Sequence, residues 1–262
     1  VNSERAKEVM RELYRPLFLR ETPIVFTDME TSELIKYAAN TFLATKITFI
    51  NEIADLCENI GADIHDVAKG IGLDGRIGSK FLHPGPGYGG SCFPKDIKAL
   101  QKAGQEVHHK FSILESVIEV NEHQKTILFP KIKAHFKNQL AGKKIAVWGL
   151  AFKPDTDDIR KAPALEMIQK LLKEKAEVYA YDPEAMLNVK KAVGTKITFG
   201  TSKEDVLTNA DALLICTEWS EFKNADITVF KSHMKTAVIF DGRNIFDPQK
   251  MNFGCLRVLN DD

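Results

Sequence analysis

Cysteine is scarce in this chain. There are four in 262 residues, at 57, 92, 216 and 255, and no two lie close together. That spacing excludes a disulfide framework and a cysteine-based zinc site. An excess of charge of one sign is lacking too. With 36 basic and 36 acidic side chains the formal net charge is +0, so the electropositive footprint that nucleic acid needs is missing. No apolar run approaches the roughly 18 residues of a membrane span, and the start carries no signal-peptide pattern. His108 and His109 have no acidic or cysteine partner at ligand spacing and read as surface, so no metal is expected. A hydrophobic content of 44% and a charged content of 27% are ordinary for a globular chain. These absences leave a cytoplasmic protein of one or two domains, without nucleic-acid or membrane partners.

Glycine is concentrated rather than spread. Gly85, Gly87, Gly89 and Gly90 fall in one stretch, FLHPGPGYGGSCFPKD, from Phe81 to Asp96. Such a run cannot be regular structure, and it suits backbone that must approach a ligand. Gly85-x-Gly87-x-x-Gly90 matches the letters of the dinucleotide fingerprint. However, that motif needs a buried strand before it, and DGRIGSKFLHP is not one, so the NAD-loop reading is rejected. Pro94, just ahead of the periodic DIKALQKAG, marks the first turn of a helix. Cys92 therefore stands at a helix N-terminus beside Lys95, where unpaired N–H groups and an ammonium favour thiolate. Asp96 follows one turn later, placed to orient a water or exchange a proton. This is an arrangement for covalent chemistry. Cys57, Cys216 and Cys255 sit in apolar runs and read as small buried hydrophobes.

Before this stretch, VNSERAKEVMRELYRPLF predicts an amphipathic helix with Ala6, Val9, Met10 and Leu13 on one face, ending near Pro16. Pro23 to Phe26 reads as an edge strand or extended linker. A helical pattern runs from about Ser32 to Ile60, with Thr31 or Ser32 as N-cap and Gly61 as C-cap. Lys36 and Asn40 share one face of it, four residues apart. Asp63 to Gly70 reads as a short helix ended by Gly70 and Gly72, and Arg76 sits in a Gly-rich turn. Beyond Asp96 lies more helix, which Pro130 would kink or break.

KNQLAGKK (137–144) reads as a linker, after which the period changes. Strands in KKIAVWGLAF, AEVYAYDP, KITFG, DALLICTEW and AVIFDGRNIF are interleaved with helices in ALEMIQKLLKEK and KEDVLTNA. This alternation predicts right-handed βαβ units and a parallel sheet. Ligands of such sheets sit beyond the C-terminal strand ends, here Phe152-Lys153, Asp182, Thr217-Glu218-Trp219 and Asp241-Gly242-Arg243. The first turn, Gly149-Leu150-Ala151-Phe152, lacks the three glycines that NAD would require, while Lys153 and Arg243 suit a diphosphate.

The run GYGGSCFPKD, together with ELIKYAANTFLATKITFINEIA, resembles the UDP-glucose 6-dehydrogenase family within the wider UDP-glucose/GDP-mannose dehydrogenase group. The likeness covers essentially the whole chain. GDP-mannose enzymes typically have Leu where Phe93 stands, and the UDP-N-acetylmannosamine type has His where Ser91 stands. The resemblance implies three segments: residues 1–30 as the end of an N-terminal NAD domain, 31–137 as an all-helical dimerisation domain bearing the catalytic cysteine, and 138–262 as a Rossmann-like UDP-sugar-binding domain. It implies homodimerisation through the long helix and two NAD-dependent oxidations of UDP-glucose at C6, through a Cys92 thiohemiacetal and thioester. Lys36 and Asn40 would stabilise the oxyanion, and Asp96 would direct the hydrolytic water. Substrate contacts would come from Lys36, Asn40, Phe81, Leu82, His83, Pro84, Gly85, Tyr88, Gly89, Phe152, Lys153 and Arg243, and across the dimer from Arg76. Lys95 and Arg160 would reach NAD. With most of the NAD domain not represented, the chain is expected to be inactive alone, as a truncated version, a proteolytic product or a partial gene. Three other readings stay open: a GDP-mannose or UDP-N-acetylhexosamine dehydrogenase, a non-catalytic nucleotide-sugar-binding or dimerisation module, and a cysteine hydrolase.

Overall fold

A computed structural model describes residues 3–17, 23–246 and the strand at 256–257. Cys255 and the ends of the expected first helix lie outside the described residues. Helix α1, Glu4–Tyr14, starts where Ser3 Oγ accepts the Ala6 N–H at 3.2 Å, and a 3-10 turn through Pro16 follows it. On its apolar face Val9 and Leu13 are exposed and Ala6 and Met10 half-buried among the described residues. Residues 23–28 join no strand among the described residues, so this stretch is the linker and not the edge strand.

Helix α2, Met29–Ile60, has 32 residues and is about 48 Å long. It begins earlier than Thr31 or Ser32 because Asp28 is the cap: its carboxylate accepts the Thr31 N–H at 2.7 Å. Gly61 closes it at φ 73°. Helix α3, Ile64–Gly72, runs through Gly70 instead of stopping there, and Leu73 caps it in helical geometry. Helices α4, Cys92–Glu106, and α5, Ser112–Gln124, pack along α2 around Ala44, Tyr88, Ile97, Leu100, Leu114 and Val117. The helical run then breaks at 125–127, ahead of Pro130. Pro130 lies in the first turn of α6, Leu128–His135, where its missing N–H is no loss.

The second half is a six-stranded parallel sheet in the order β3-β2-β1-β4-β5-β6. The strands are β1 Lys144–Trp148, β2 Glu177–Tyr181, β3 Thr198–Phe199, β4 Ala212–Ile215, β5 Val238–Asp241 and β6 Leu256–Arg257. Alternation along each strand feeds two cores. Ile145, Val147, Leu214 and Phe240 meet α7 (Pro163–Lys173), α8 (Met186–Val193) and Leu128 and Ile132 of α6. Ala146, Trp148, Leu213 and Ile239 meet α9 (Lys203–Leu207), α10 (Ser220–Lys223) and α11 (Ile227–His233). The strand order reverses between β1 and β4, which is where doubly wound sheets open a ligand crevice. The fold is thus a helical region followed by a parallel α/β domain, as the pattern predicts. Helices α8, α10 and α11 and strand β6 were not legible; with 8, 4, 7 and 2 residues they are too short for a periodic signal.

Candidate active site

The Gly-rich loop 81–91 lies between the two halves and is pinned from both sides. Gly90 takes φ +81° and donates its N–H to Arg160 O at 2.7 Å. A Cβ at Gly89 would collide with Lys161 O, and one at Gly90 would come within 2.7 Å of the Phe152 ring. These two positions must be glycine for the loop to dock on the α/β domain. From the helical side, Asn51 Oδ1 accepts the Gly85 N–H at 2.8 Å and Gln124 Nε2 donates to Gly85 O at 3.1 Å. Asn121 Oδ1 accepts the Tyr88 N–H at 2.8 Å, and its Nδ2 donates to Tyr88 O at 3.2 Å.

Held this way, the loop delivers Cys92 as the first residue of α4, exposed, with Ser91 Oγ 3.8 Å from its sulfur. One turn along α4, buried Asp96 ends a polar chain that starts at exposed Lys36 and passes through buried Asn40. Lys36 Nζ donates to Asn40 Oδ1 at 3.1 Å, and Asn40 Nδ2 donates to Asp96 Oδ2 at 2.5 Å. Lys95 Nζ stands 3.4 Å from the other oxygen, Asp96 Oδ1. Asp96 is 3% exposed, so its contacts are made in low dielectric.

Cys92 opens into a cleft of about 590 Å³. Phe81, His83, Tyr88, Gly89 and Phe93 line it from the loop side, and Phe152, Lys153, Glu218 and Arg243 from the strand ends. Arg243 donates from Nε to Cys216 O at 2.7 Å and from Nη2 to Phe152 O at 3.1 Å. Because that Nε–H is already engaged, Glu218 Oε2 at 3.1 Å is an ion-pair partner and not a hydrogen-bonded one. Lys153 Nζ hovers 5.5 Å from the centre of the Phe152 ring. A second cleft of about 620 Å³ adjoins through His83, Glu218 and Arg243, and holds Leu82 and Pro84. Burial, with help from the charge of Glu122, pushes the Tyr88 phenol up, so it stays protonated. Burial also pushes the Cys216 thiol up to about 12, against the pull of Arg243. Of the described cysteines, Cys57 and Cys216 are buried and Cys92 is exposed.

The structure therefore gathers Lys36, Asn40, Asp96 and Lys95 in one network. It places Cys92, Phe81, His83, Tyr88, Gly89, Phe152, Lys153 and Arg243 around one cleft. Gly85 abuts Arg243 at the cleft edge. Arg76 is not among the cleft's lining residues: its side chain is 90% exposed and grips Asp74. Arg160 is likewise exposed and paired with Asp158, whose hydrogen bond holds its guanidinium above the ordinary value.

The α/β domain does not fit a dinucleotide at its first turn. Asp182, fully buried, spends Oδ2 on the N–H groups of Leu150 (2.6 Å) and Ala151 (3.1 Å) and on Trp219 Nε1 (3.1 Å). Its Oδ1 accepts from Glu184 N (2.9 Å) and Ala185 N (2.8 Å). No lone pair faces outward for a ribose, and Thr217 fills the space beside Gly149. The residues that motif reasoning missed are Asn51, Asn121 and Gln124. Their only sequence signal is an amide on an otherwise apolar helical face.

The UDP-glucose/GDP-mannose dehydrogenase family profile for the central domain matches residues 30–123, and the profile for its UDP binding domain matches residues 146–248. The chain belongs to this family. Among its relatives, UDP-glucose 6-dehydrogenase of Rhizobium meliloti (strain 1021) is 53% identical over 242 residues, covering 92% of this chain and 55% of the relative. The enzyme of that name from Bacillus subtilis (strain 168) is 44% identical over 249 residues, covering 95% and 53%. A solved UDP-glucose dehydrogenase from Pyrobaculum islandicum superposes with a TM-score of 0.85 at 32% identity, covering 95% of this chain and 55% of that one. The chain spans about half the length of the relatives it matches.

Proposed function

We propose that these residues form the substrate-binding and nucleophilic part of a cytoplasmic UDP-glucose 6-dehydrogenase. The observation that carries the reading is Cys92, exposed at the start of α4, sharing one cleft with Lys153 and Arg243, with the Lys36–Asn40 pair tied to α4 through Asp96, four residues on from Cys92. Phe93 and Ser91 favour UDP-glucose over GDP-mannose and UDP-N-acetylmannosamine. In this reading NAD+, when bound, would accept two hydrides, and the main NAD-binding domain would be the part of the relatives' length that this chain does not span. Lys95 and Arg160 reach NAD+ from this chain.

Lys153 and Arg243 bind the diphosphate as charged donors. The Cys92 thiolate adds to the C6 aldehyde, and Lys36 and Asn40 donate to the oxyanion that forms. Loss of the second hydride leaves a thioester. Asp96, anchored through Asn40, directs water onto it, releasing the carboxylate and returning the sulfur. Covalent capture keeps the aldehyde from escaping. We further propose a homodimer through α2, where exposed Ile35, Phe42, Phe49 and Leu56 recur every seventh residue along one side of the helix. Arg76 would cross that interface to the partner's substrate.

The test joins this chain to the remaining part of the Rhizobium meliloti relative and follows NADH formation with UDP-glucose, GDP-mannose and UDP-N-acetylmannosamine. Two NADH per UDP-glucose, with the other sugars at least about tenfold poorer in kcat/KM, supports the reading. No turnover of UDP-glucose, or a preference for either competitor, refutes it.

A further inference from the structure

We propose that three buried amides, Asn51, Asn121 and Gln124, are positioning residues that set the register of the nucleophile's loop. The proposal rests on Cys92 being the nucleophile of the reading above. Gly85 and Tyr88 each have both backbone polar groups met by side chains, not by other backbone. Asn51 accepts from Gly85 N at 2.8 Å and Gln124 donates to Gly85 O at 3.1 Å. Asn121 alone serves Tyr88, accepting at 2.8 Å and donating at 3.2 Å. The three amides are 0%, 2% and 5% exposed for Asn51, Asn121 and Gln124. At Asn121 one carboxamide supplies an acceptor and a donor side by side, matching the N–H and C=O of Tyr88; a carboxylate cannot donate and a hydroxyl is too small to span both. At Gly85 the two roles are divided, Asn51 giving the acceptor and Gln124 the donor, and Asn51 Nδ2 is left without a partner among the described residues.

Their placement on the helices gives the clamp its use. Asn51 lies eleven residues beyond Asn40, about three turns of α2, so Lys36, Asn40 and Asn51 fall on one stripe of one helix. A single rigid element thus fixes the oxyanion donors and one end of the loop that carries the sulfur. Asn121 and Gln124, three apart on α5, hold the loop from the other side. Between them the loop has two fixed residues, Gly85 and Tyr88, and Cys92 follows four residues later. The glycines of this stretch make the close approach feasible, while the amides choose which of the many glycine conformations is kept.

The test uses this chain as it stands. The rate of Cys92 alkylation by iodoacetamide is followed by peptide mass spectrometry, alongside thermal melting and UDP-glucose affinity. Asn121→Leu should slow Cys92 alkylation at least fivefold. Asn121→Asp, which keeps the acceptor and loses the donor, should fall between it and the unaltered chain. A control, Leu213→Ala in the sheet core, should lower the melting temperature while leaving the Cys92 rate within twofold. Should Asn121→Leu not fold, Gln124→Met, which removes one bond at nearly constant volume, decides the same question, with at least a threefold slowing expected. The inference is overturned if Asn121→Leu, or Gln124→Met in its place, leaves the rate within twofold, or if Leu213→Ala slows it as much. Failure of the unaltered chain to bind UDP-glucose would count against the substrate, whereas the alkylation comparison judges the positioning role without reference to any sugar.

Discussion

Two loops of this molecule invert each other. Loop 81–91 spells a dinucleotide fingerprint and sits where no dinucleotide fold exists, after a stretch without a strand. The turn after β1, at 149–153, sits where a doubly wound sheet places a dinucleotide, yet it is closed by Asp182 and Thr217. The first needs its glycines to pass close to Lys161 and Phe152 of the other half; the second spends its buried carboxylate on its own backbone. A motif and a fold position are each weak evidence alone, because function resides in the groups a site presents. What loop 81–91 presents is a cysteine at a helix start, and what the turn presents is Lys153.

That contrast can be broken in several ways, of decreasing expected effect. Cys92→Ala, in the chain joined to the rest of a relative, should cost at least about 10³-fold in the rate of uronate formation with little change in melting, since Cys92 is exposed. Lys36→Ala or Asn40→Ala should cost about 10²-fold in kcat, the size expected for an oxyanion donor. Gly89→Ala should disturb both halves at once, lowering stability by about 1–3 kcal/mol because its Cβ meets Lys161 O, backbone that cannot step aside. Denaturant unfolding reads this directly. Asp182→Asn should destabilise by about 1–3 kcal/mol, since an N–H₂ now faces donors Leu150, Ala151 and Trp219 or else Glu184 and Ala185; NAD affinity should be unaltered, and a gain or loss there would revive the dinucleotide reading of the turn.

The smallest effect concerns pH. Cys216 is held up to about 12 when folded, against an ordinary value of 9.0. The unfolded chain releases this proton first, so stability falls as pH rises from about 9 towards about 12. Cys216→Val should flatten that alkaline decline in melting temperature.

Most of the architecture was readable from periodicity. Strands β1, β2, β4 and β5 are apolar runs, and α2 repeats over many turns. The start of α2 was misplaced because Thr31 and Ser32 both have capping chemistry, and only geometry shows Asp28 holding the Thr31 N–H. Likewise Pro130 marks a break without locating it, since proline is tolerated in a first turn. Cys92, Lys95 and Asp96 were legible together because one short motif carries them. The partnership of Asn40 with Asp96 spans 56 positions and has no local signal. The amides that hold Gly85 and Tyr88 are hidden for the same reason: an Asn on a helix looks like solvated surface until the loop folds over it.

The account rests on the cleft beside Cys92 taking a UDP-sugar between the loop and the strand ends. Titration calorimetry of this chain with UDP-glucose, with GDP-mannose as control and Lys153→Ala as variant, tests it most directly. Saturable heat with UDP-glucose, weak or absent heat with GDP-mannose, and at least about tenfold weaker binding by Lys153→Ala are the predicted results. Equal heats with the two sugars, no heat with UDP-glucose, or a Lys153→Ala variant that binds like the unaltered chain would contradict it.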